Sequence, residues 1–361
     1  MTLGQLQEVA MHALSRALRL FSTLGRSWRT VGILFVLANL KNLPLVWHLR
    51  FFNGLFTHFY LHPSRLTPKT GPRAIFQPII TTSRSPLLEC DYNVHKSNST
   101  YFSDLDVSRT HLIAALMKGG LDSYRERMKK EKGGGKFLIA LGAVSCVFRR
   151  EIAPYEEYEI WSRVLSWDRK WMYIVSHFVR KGAVRPKGYT LQPGRDPKEG
   201  RAWWFWRREG VVKEPAEGSR DSSGTSSPSL TTEQQQHLPH GAIFASAISK
   251  YVFKQGRLTT PPELVLERSG ILPPRPTSSQ SPPSSLLGES TVDLAAANDL
   301  LSKDEAIIDA SLTLEDEDGE WDWARVEKER EKGMLVAEKL VALDLLHSTF
   351  TGEEEMALGA F

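Results

Sequence analysis

The chain is poor in cysteine. Its 361 residues include only two, Cys90 and Cys146. Two isolated cysteines make neither a disulfide framework nor a thiolate zinc cluster. Both fall in apolar, strand-like runs and read as small core residues. A charge excess is also missing. The formal net charge is +4, and no stripe of Arg and Lys with interleaved aromatics occurs, so nucleic acid is not an expected partner. Gly133-Gly134-Gly135 is not followed by the Gly-Lys-Ser/Thr pattern of a phosphate loop. No clustered ligand set appears, so neither a metal nor another cofactor is expected. An uninterrupted run of about 18 apolar residues, the mark of a spanning helix, is absent as well. Val31 to Leu40 is broken by Lys41 and Asn42 before Leu43 to Trp47 resumes it. No small-residue cleavage site follows cleanly, which argues against a signal peptide.

Enough apolar sequence remains for a globular core with flexible additions, at 41% hydrophobic and 24% charged residues. Residues 1–61 read as an amphipathic membrane-anchor region. Leu6, Ala10, Ala13, Leu14, Ala17, Leu18 and Phe21 recur at helical spacing, punctuated by Arg16, Arg19, Arg26 and Arg29. Trp28 and Trp47 bracket the broken apolar run, as interfacial aromatics do. The expectation is a short tilted span or an interfacial helix, on the endoplasmic reticulum. An Arg-rich, acid-poor start also fits a mitochondrial transit peptide, and a helical hairpin packed on the protein's own core is the bland alternative.

Residues 73–269 read as one folded domain. Ile75 to Cys90 reads as extended. A helix is expected from about Ser99 to Met117, ended by Gly119-Gly120, with Asp122 to Lys132 as a separate charged helix. Phe137 to Ile152, Tyr158 to Trp167, Lys170 to Arg180 and Ala242 to Phe253 are rich in β-branched and aromatic residues. Short turns between strands favour antiparallel neighbours. One long apolar helix and one sheet needing cover predict an α+β fold, an antiparallel sheet wrapped around a central helix. Residues 184–240 interrupt the domain. The part after Pro215 reads as disordered, and Trp203, Trp204 and Trp206 beside Arg207 and Arg208 are either a membrane or partner contact or a lid. Residues 270–320 read as a disordered linker and 321–348 as a C-terminal helix.

The segment from Asp91 to Tyr101 gathers a carboxylate, a carboxamide and an imidazole. Alternate residues of an extended chain point the same way, so Asp91, Asn93 and His95 face one cleft if the chain stays extended. A helix N-terminus just downstream offers unpaired N–H groups, around Ser97 to Thr100, to developing negative charge. A general base, an orienting amide and an oxyanion site suit acyl transfer. An Asp capping a turn is the competing reading of Asp91.

The run Asp91, Asn93, His95, Asn98, Tyr101 resembles the D-x-N-x-H-x-x-N-x-x-Y signature of hotdog-fold thioesterases. Phe102 to Arg109, Val144 to Ile152 and Tyr158 to Val164 resemble the elements that follow it there. The pattern is similar to that of the membrane-associated group typified by thioesterase superfamily member six and its fungal relatives, some encoded beside secondary-metabolite pathways. The resemblance implies a hotdog fold, a homodimer paired edge to edge, and hydrolysis of acyl-CoA or acyl-carrier-protein thioesters. It implies Asp91, Asn93 and His95 as catalytic residues and Ser97, Asn98, Ser99 and Tyr101 as substrate-binding residues. Lys96 and Ser97 depart from the pattern and are expected to change polarity at the mouth of the site. The enoyl-thioester hydratases carry D-x-N-P-x-H. Here His95 follows Asp91 by four positions and Val94 stands in place of Pro, which favours hydrolysis over hydration. A catalytically silent acyl-binding or membrane scaffold protein on the same fold is the alternative, and a membrane-docked partner protein is a third.

Overall fold

The computed structural model describes residues 28–61, 66, 70–130, 137–192, 241–276 and 319–343. The Arg-punctuated segment before Trp28, the Trp203 to Arg208 cluster, and most of the expected insertion and linker lie outside the described residues.

Five strands form one antiparallel sheet: β1 (Ile79–Arg84), β2 (Phe137–Phe148), β3 (Glu157–Trp167), β4 (Trp171–Arg180) and β5 (Ile243–Gln255), in the order β1-β3-β4-β5-β2. A short β6 (Leu258–Thr260) turns back along the end of β5. These strands coincide closely with the β-branched and aromatic runs of the sequence. The segment before the candidate site does not stay extended. It holds a helix (Gly71–Phe76), then β1, then a 3-10 turn (Leu87–Glu89). Pro72 at the start of that helix fits its first turn, where no N–H partner is needed.

The central helix runs without a break over Asn98–Lys130. It passes straight through Gly119-Gly120, where the sequence predicts its end. The glycines make room instead of ending the helix. A Cβ on Gly120 would sit 2.5 Å from the carbonyl oxygen of Val265, in the short helix Pro262–Arg268 packed alongside. Below the central helix, Leu112, Leu116 and Met117 meet Val164, Met172, Ile174 and Phe253 in the main core. Nearer the candidate site, Tyr101 and Leu105 meet Tyr158, Ile160, Phe178 and Ala247. Burying each such side chain contributes about 1.5–3 kcal/mol. This is the sheet wrapped on a helix that the hotdog resemblance implies.

The C-terminal helix (Trp323–Val341) covers the other face of the sheet. Alternation along β4 turns Tyr173 away from Met172 and Ile174, and Ala337 and Leu340 pack on it there. A register shift in β3 between Val164 and Ser166 leaves the Leu165 carbonyl facing Gly333, so closely that a Cβ would stand 1.9 Å from it. Ser166 Oγ donates to Arg330 O at 2.7 Å, and Arg330 donates back to Trp167 O at 3.0 Å. Only a residue without a side chain allows that approach.

The N-terminal arm is not a single span. A helix over residues 28–38 leads into a 3-10 turn (Leu40–Asn42), a helix (Val46–Phe56) and a π-helical turn (Thr57–Leu61). Among the described residues no helix is long and apolar enough to cross a membrane. The expected tilted span is therefore not found there. The Val46–Phe56 helix lies on the central helix: Trp47 Nε1 donates to Ser103 O at 3.2 Å, and His58 and His111 share a hydrogen bond of 3.1 Å. His111 reads as solitary in the sequence; in three dimensions it ties the arm down.

Candidate active site

Cys90 and Lys96 pair as a lone antiparallel bridge, and residues 91–95 close over it as a turn. Asp91 N donates to His95 O at 2.9 Å, and Val94 N donates to Asp91 O at 3.0 Å. Asp91 Oδ1 accepts from the Asn93 and His95 amides at 2.9 and 3.4 Å. Asp91, Asn93 and His95 thus do not occupy alternate positions of an extended strand, as the sequence reading requires. They share one turn. The physical reason is local: a short carboxylate satisfies the two amides that follow it more readily than a strand partner does. Val94 holds φ at +62°, a left-handed conformation that costs a β-branched residue about 1–3 kcal/mol. Such strain gathers at functional sites.

Asp91 and Asn93 are exposed. Asp91 Oδ2 makes no hydrogen bond among the described residues, so one carboxylate oxygen is spent and one is open. His95 sits with Nε2 3.2 Å from Glu151 Oε2, while its Nδ1 is buried with no hydrogen-bond partner. The oxyanion donors are narrower than expected. Ser97 N is spent on Glu89 O at 2.7 Å, and Thr100 N on Ser97 O at 3.0 Å. The amides of Asn98 and Ser99, first in a helix of 33 residues, have no partner among the described residues. Ser97 Oγ and Ser99 Oγ share a 3.1 Å hydrogen bond. Tyr101 is drawn away into the core, its ring edge-on to Phe148 and Phe178 at 5.0 and 4.8 Å. Burial pushes the Cys146 thiol up to about 11, away from the thiolate form.

Lys96 does not line the mouth of the site. Its side chain is fully buried, and its ammonium lies 2.7 Å from Glu89 Oε2 and 3.1 Å from Asp104 Oδ2. Lys41, the residue that interrupts the N-terminal apolar run, reaches the same two oxygens at 2.8 and 2.9 Å. Arg50 contacts Asp104 Oδ1 at 2.8 Å, and Tyr158 donates its hydroxyl to Asp104 Oδ2. Burial alone would raise the Asp104 carboxyl. Lys41, Lys96, Arg50 and the Tyr158 hydrogen bond outweigh it and hold that carboxyl well below the usual carboxylate range. Burial, with Lys96 and Arg50 nearby, lowers Lys41 from its ordinary value. This cluster ties both ends of the candidate loop to the central helix and the arm. Sequence reasoning missed it. The one available signal was a lysine inside an otherwise apolar run.

A second polar seam crosses the sheet beneath the central helix. Ser108, Ser162 and Ser176 form a buried chain at 2.8 and 2.7 Å. Arg109, also buried, donates to Asp106 Oδ1 at 2.6 Å and to Ser249. No group of three or more potential metal ligands occurs among the described residues.

The model of the thioesterase-like superfamily matches residues 86–195, which contain the loop, the central helix and β2 to β4. Thioesterase poxG of Penicillium oxalicum is 35% identical over 341 residues, covering 92% of this chain and 90% of its own. The probable thioesterase atnL of Emericella nidulans is 33% identical over 339 residues, covering 90% and 89%. The probable thioesterase YBR096W of Saccharomyces cerevisiae is 31% identical over 195 residues, covering 50% of this chain and 80% of its own. With relatives at that identity over about nine-tenths of both chains, and a family match that contains the loop and its helix, the chain belongs to the thioesterase-like superfamily and is a thioester hydrolase.

Proposed function

We propose that the chain hydrolyses acyl-CoA or acyl-carrier-protein thioesters at the Asp91 loop. The observation that carries this reading is a strained turn with one open carboxylate oxygen, followed at once by a helix whose first two amides are unspent. Asp91 Oδ2 takes a proton from water, the water oxygen adds to the thioester carbonyl, and the amides of Asn98 and Ser99 receive the negative charge. The C–S bond then breaks and the sulfur leaves as a thiol with the proton held by Asp91. Direct attack by Asp91 on the carbonyl is the variant mechanism. His95 is the proposed proton-exchanging side chain of the same turn, and Asn93 orients the water or the substrate. The silent acyl-binding reading has one observation in its favour, that Asp91 Oδ1 is already committed to its own turn. Free-thiol release by purified protein across a series of acyl-CoA chain lengths decides between them. Turnover is expected at a preferred length. Retained acyl-CoA binding with no thiol release at any length would leave binding alone.

The resemblance extends the proposal to fungal secondary metabolism and to a homodimer. β2 pairs only with β5 among the described residues, and it exposes Leu138, Leu141, Val147 and Phe148. An open, apolar edge of this kind favours a second strand. Light scattering in mild detergent is expected to give twice the chain mass; monomer with full activity would overturn the dimer.

A membrane-surface role completes the reading. The helix over residues 28–38 exposes Trp28, Val31, Ile33, Leu34, Phe35, Val36 and Leu37, so it is apolar all round. Leu49, Phe52, Phe56 and Tyr60 continue as one exposed stripe at helical spacing. Such surface suits a helix lying in the headgroup boundary, at the endoplasmic reticulum by preference. Full-length protein is expected to sediment with vesicles and to resist a high-salt wash, because apolar burial is not screened by ions. Release by salt would point to charge alone. A shortened mature form recovered from mitochondria would favour a transit peptide.

A further inference from the structure

The arm and the Asp91 loop meet at two arm side chains. Asn39 is buried, and its Oδ1 accepts from the Leu88 amide at 2.9 Å while its Nδ2 donates to Phe35 O at 2.9 Å. Lys41 Nζ donates to Glu89 Oε2 at 2.8 Å, to Asp104 Oδ2 at 2.9 Å and to Arg84 O at 2.9 Å. Leu88 and Glu89 belong to the 3-10 turn that opens into the loop. Lys96, at the loop's other end, shares the same two carboxylate oxygens as Lys41. Apart from the arm and the cluster, the loop holds to its lone bridge, a self-closed turn, Lys96 N donating to Ile152 O at 2.9 Å, and His95 beside Glu151 at 3.2 Å.

We infer that the N-terminal arm is a brace of the active-site loop, with Lys41 and Asn39 as positioning residues for the proposed hydrolysis. This rests on the reading of Asp91 given above. Lys41 closes a square of two ammonium and two carboxylate groups, which fixes Glu89 against Lys96 and so sets the separation of the loop ends. Asn39 fixes the 3-10 turn before it. The strained Val94 gives the loop a reason to relax once either support is lost. The residues that hold the loop in its working shape therefore lie on the same element that carries the exposed apolar face.

The test uses the full chain with Lys41→Met, which keeps the stem and removes the ammonium, and Asn39→Ala, which removes the acceptor for Leu88 N and the donor to Phe35 O and leaves the charges alone. Amide exchange is followed at Asn93, His95 and Ser97 and in β3 to β5, beside kcat and KM for an acyl-CoA. The expected result is exchange about tenfold or more faster at the loop amides with the sheet unchanged. Turnover then falls by up to about 10²-fold through kcat, because a small displacement of reacting groups is costly, while KM stays within about twofold. Unchanged loop exchange in both variants would overturn the brace, as would acceleration spread equally through β3 to β5, which marks simple destabilisation. Where Lys41→Met fails to fold, Asn39→Ala carries the same comparison. Faster loop exchange with undiminished kcat upholds the brace and removes the chemistry from Asp91, so the two readings fail separately.

Discussion

Asp104→Asn is expected to cost about 3–5 kcal/mol of folding free energy, read from urea denaturation at neutral pH. That is a large share of the roughly 5–15 kcal/mol that holds a domain together. The carboxylate of Asp104 is fully buried and accepts from Lys41, Lys96, Arg50, Ser83 and Tyr158. Asparagine keeps the volume and removes the charge, so Lys41 and Lys96 are left with Glu89 and Arg50 loses its paired carboxylate. The same carboxylate sets an acid limit. Its folded-state value is depressed below that of the unfolded chain, so the stability it supplies is present at neutral pH. That stability fades as pH falls below about 4, the unfolded value, towards the folded one. Asp104→Asn should flatten this part of the acid unfolding curve. A variant within about 1 kcal/mol of the parent would show that the cluster contributes little net stability.

Asp91→Asn is expected to lower turnover by about 10²–10⁴-fold, the usual contribution of a general base, with stability changed by no more than about 0.5 kcal/mol. The separation of the two effects follows from the turn. The Asn93 and His95 amides bond to Asp91 Oδ1, and an asparagine oxygen can still accept those bonds, though without the charge. Only the proton-accepting Oδ2 is lost. His95→Ala should also slow hydrolysis, and the double variant should not multiply the two losses if the residues work as a unit. Undiminished thiol release by Asp91→Asn would sink the assignment.

The positions of β2 to β5 were legible because their residues follow a local rule: β-branched and aromatic side chains alternate between two faces, and turn residues end each run. The central helix was legible from its spacing, but its length was not. Gly119-Gly120 reads as a stop signal locally. It is overruled by the approach of the Pro262–Arg268 helix, about 145 residues further on, into space that only glycine leaves. The candidate loop was legible as a set of residues and not as a shape. Alternation predicts convergence along an extended chain, whereas the hydrogen bonds of Asp91 fold the same residues into a turn.

By itself the sequence determined the fold class, the succession of strand-like runs and helix along the chain, and the residues to suspect. Only the tertiary structure decided what Lys41, Arg50 and Lys96 do. In the sequence they read as a break in an apolar run, a basic residue among aromatics and a departure from a motif. In the fold they converge on Asp104 and Glu89 from positions 48 and 63 residues apart for Lys41 alone. A charge finds its partner through the whole chain's path, and the energy of that meeting depends on burial, which no local pattern records.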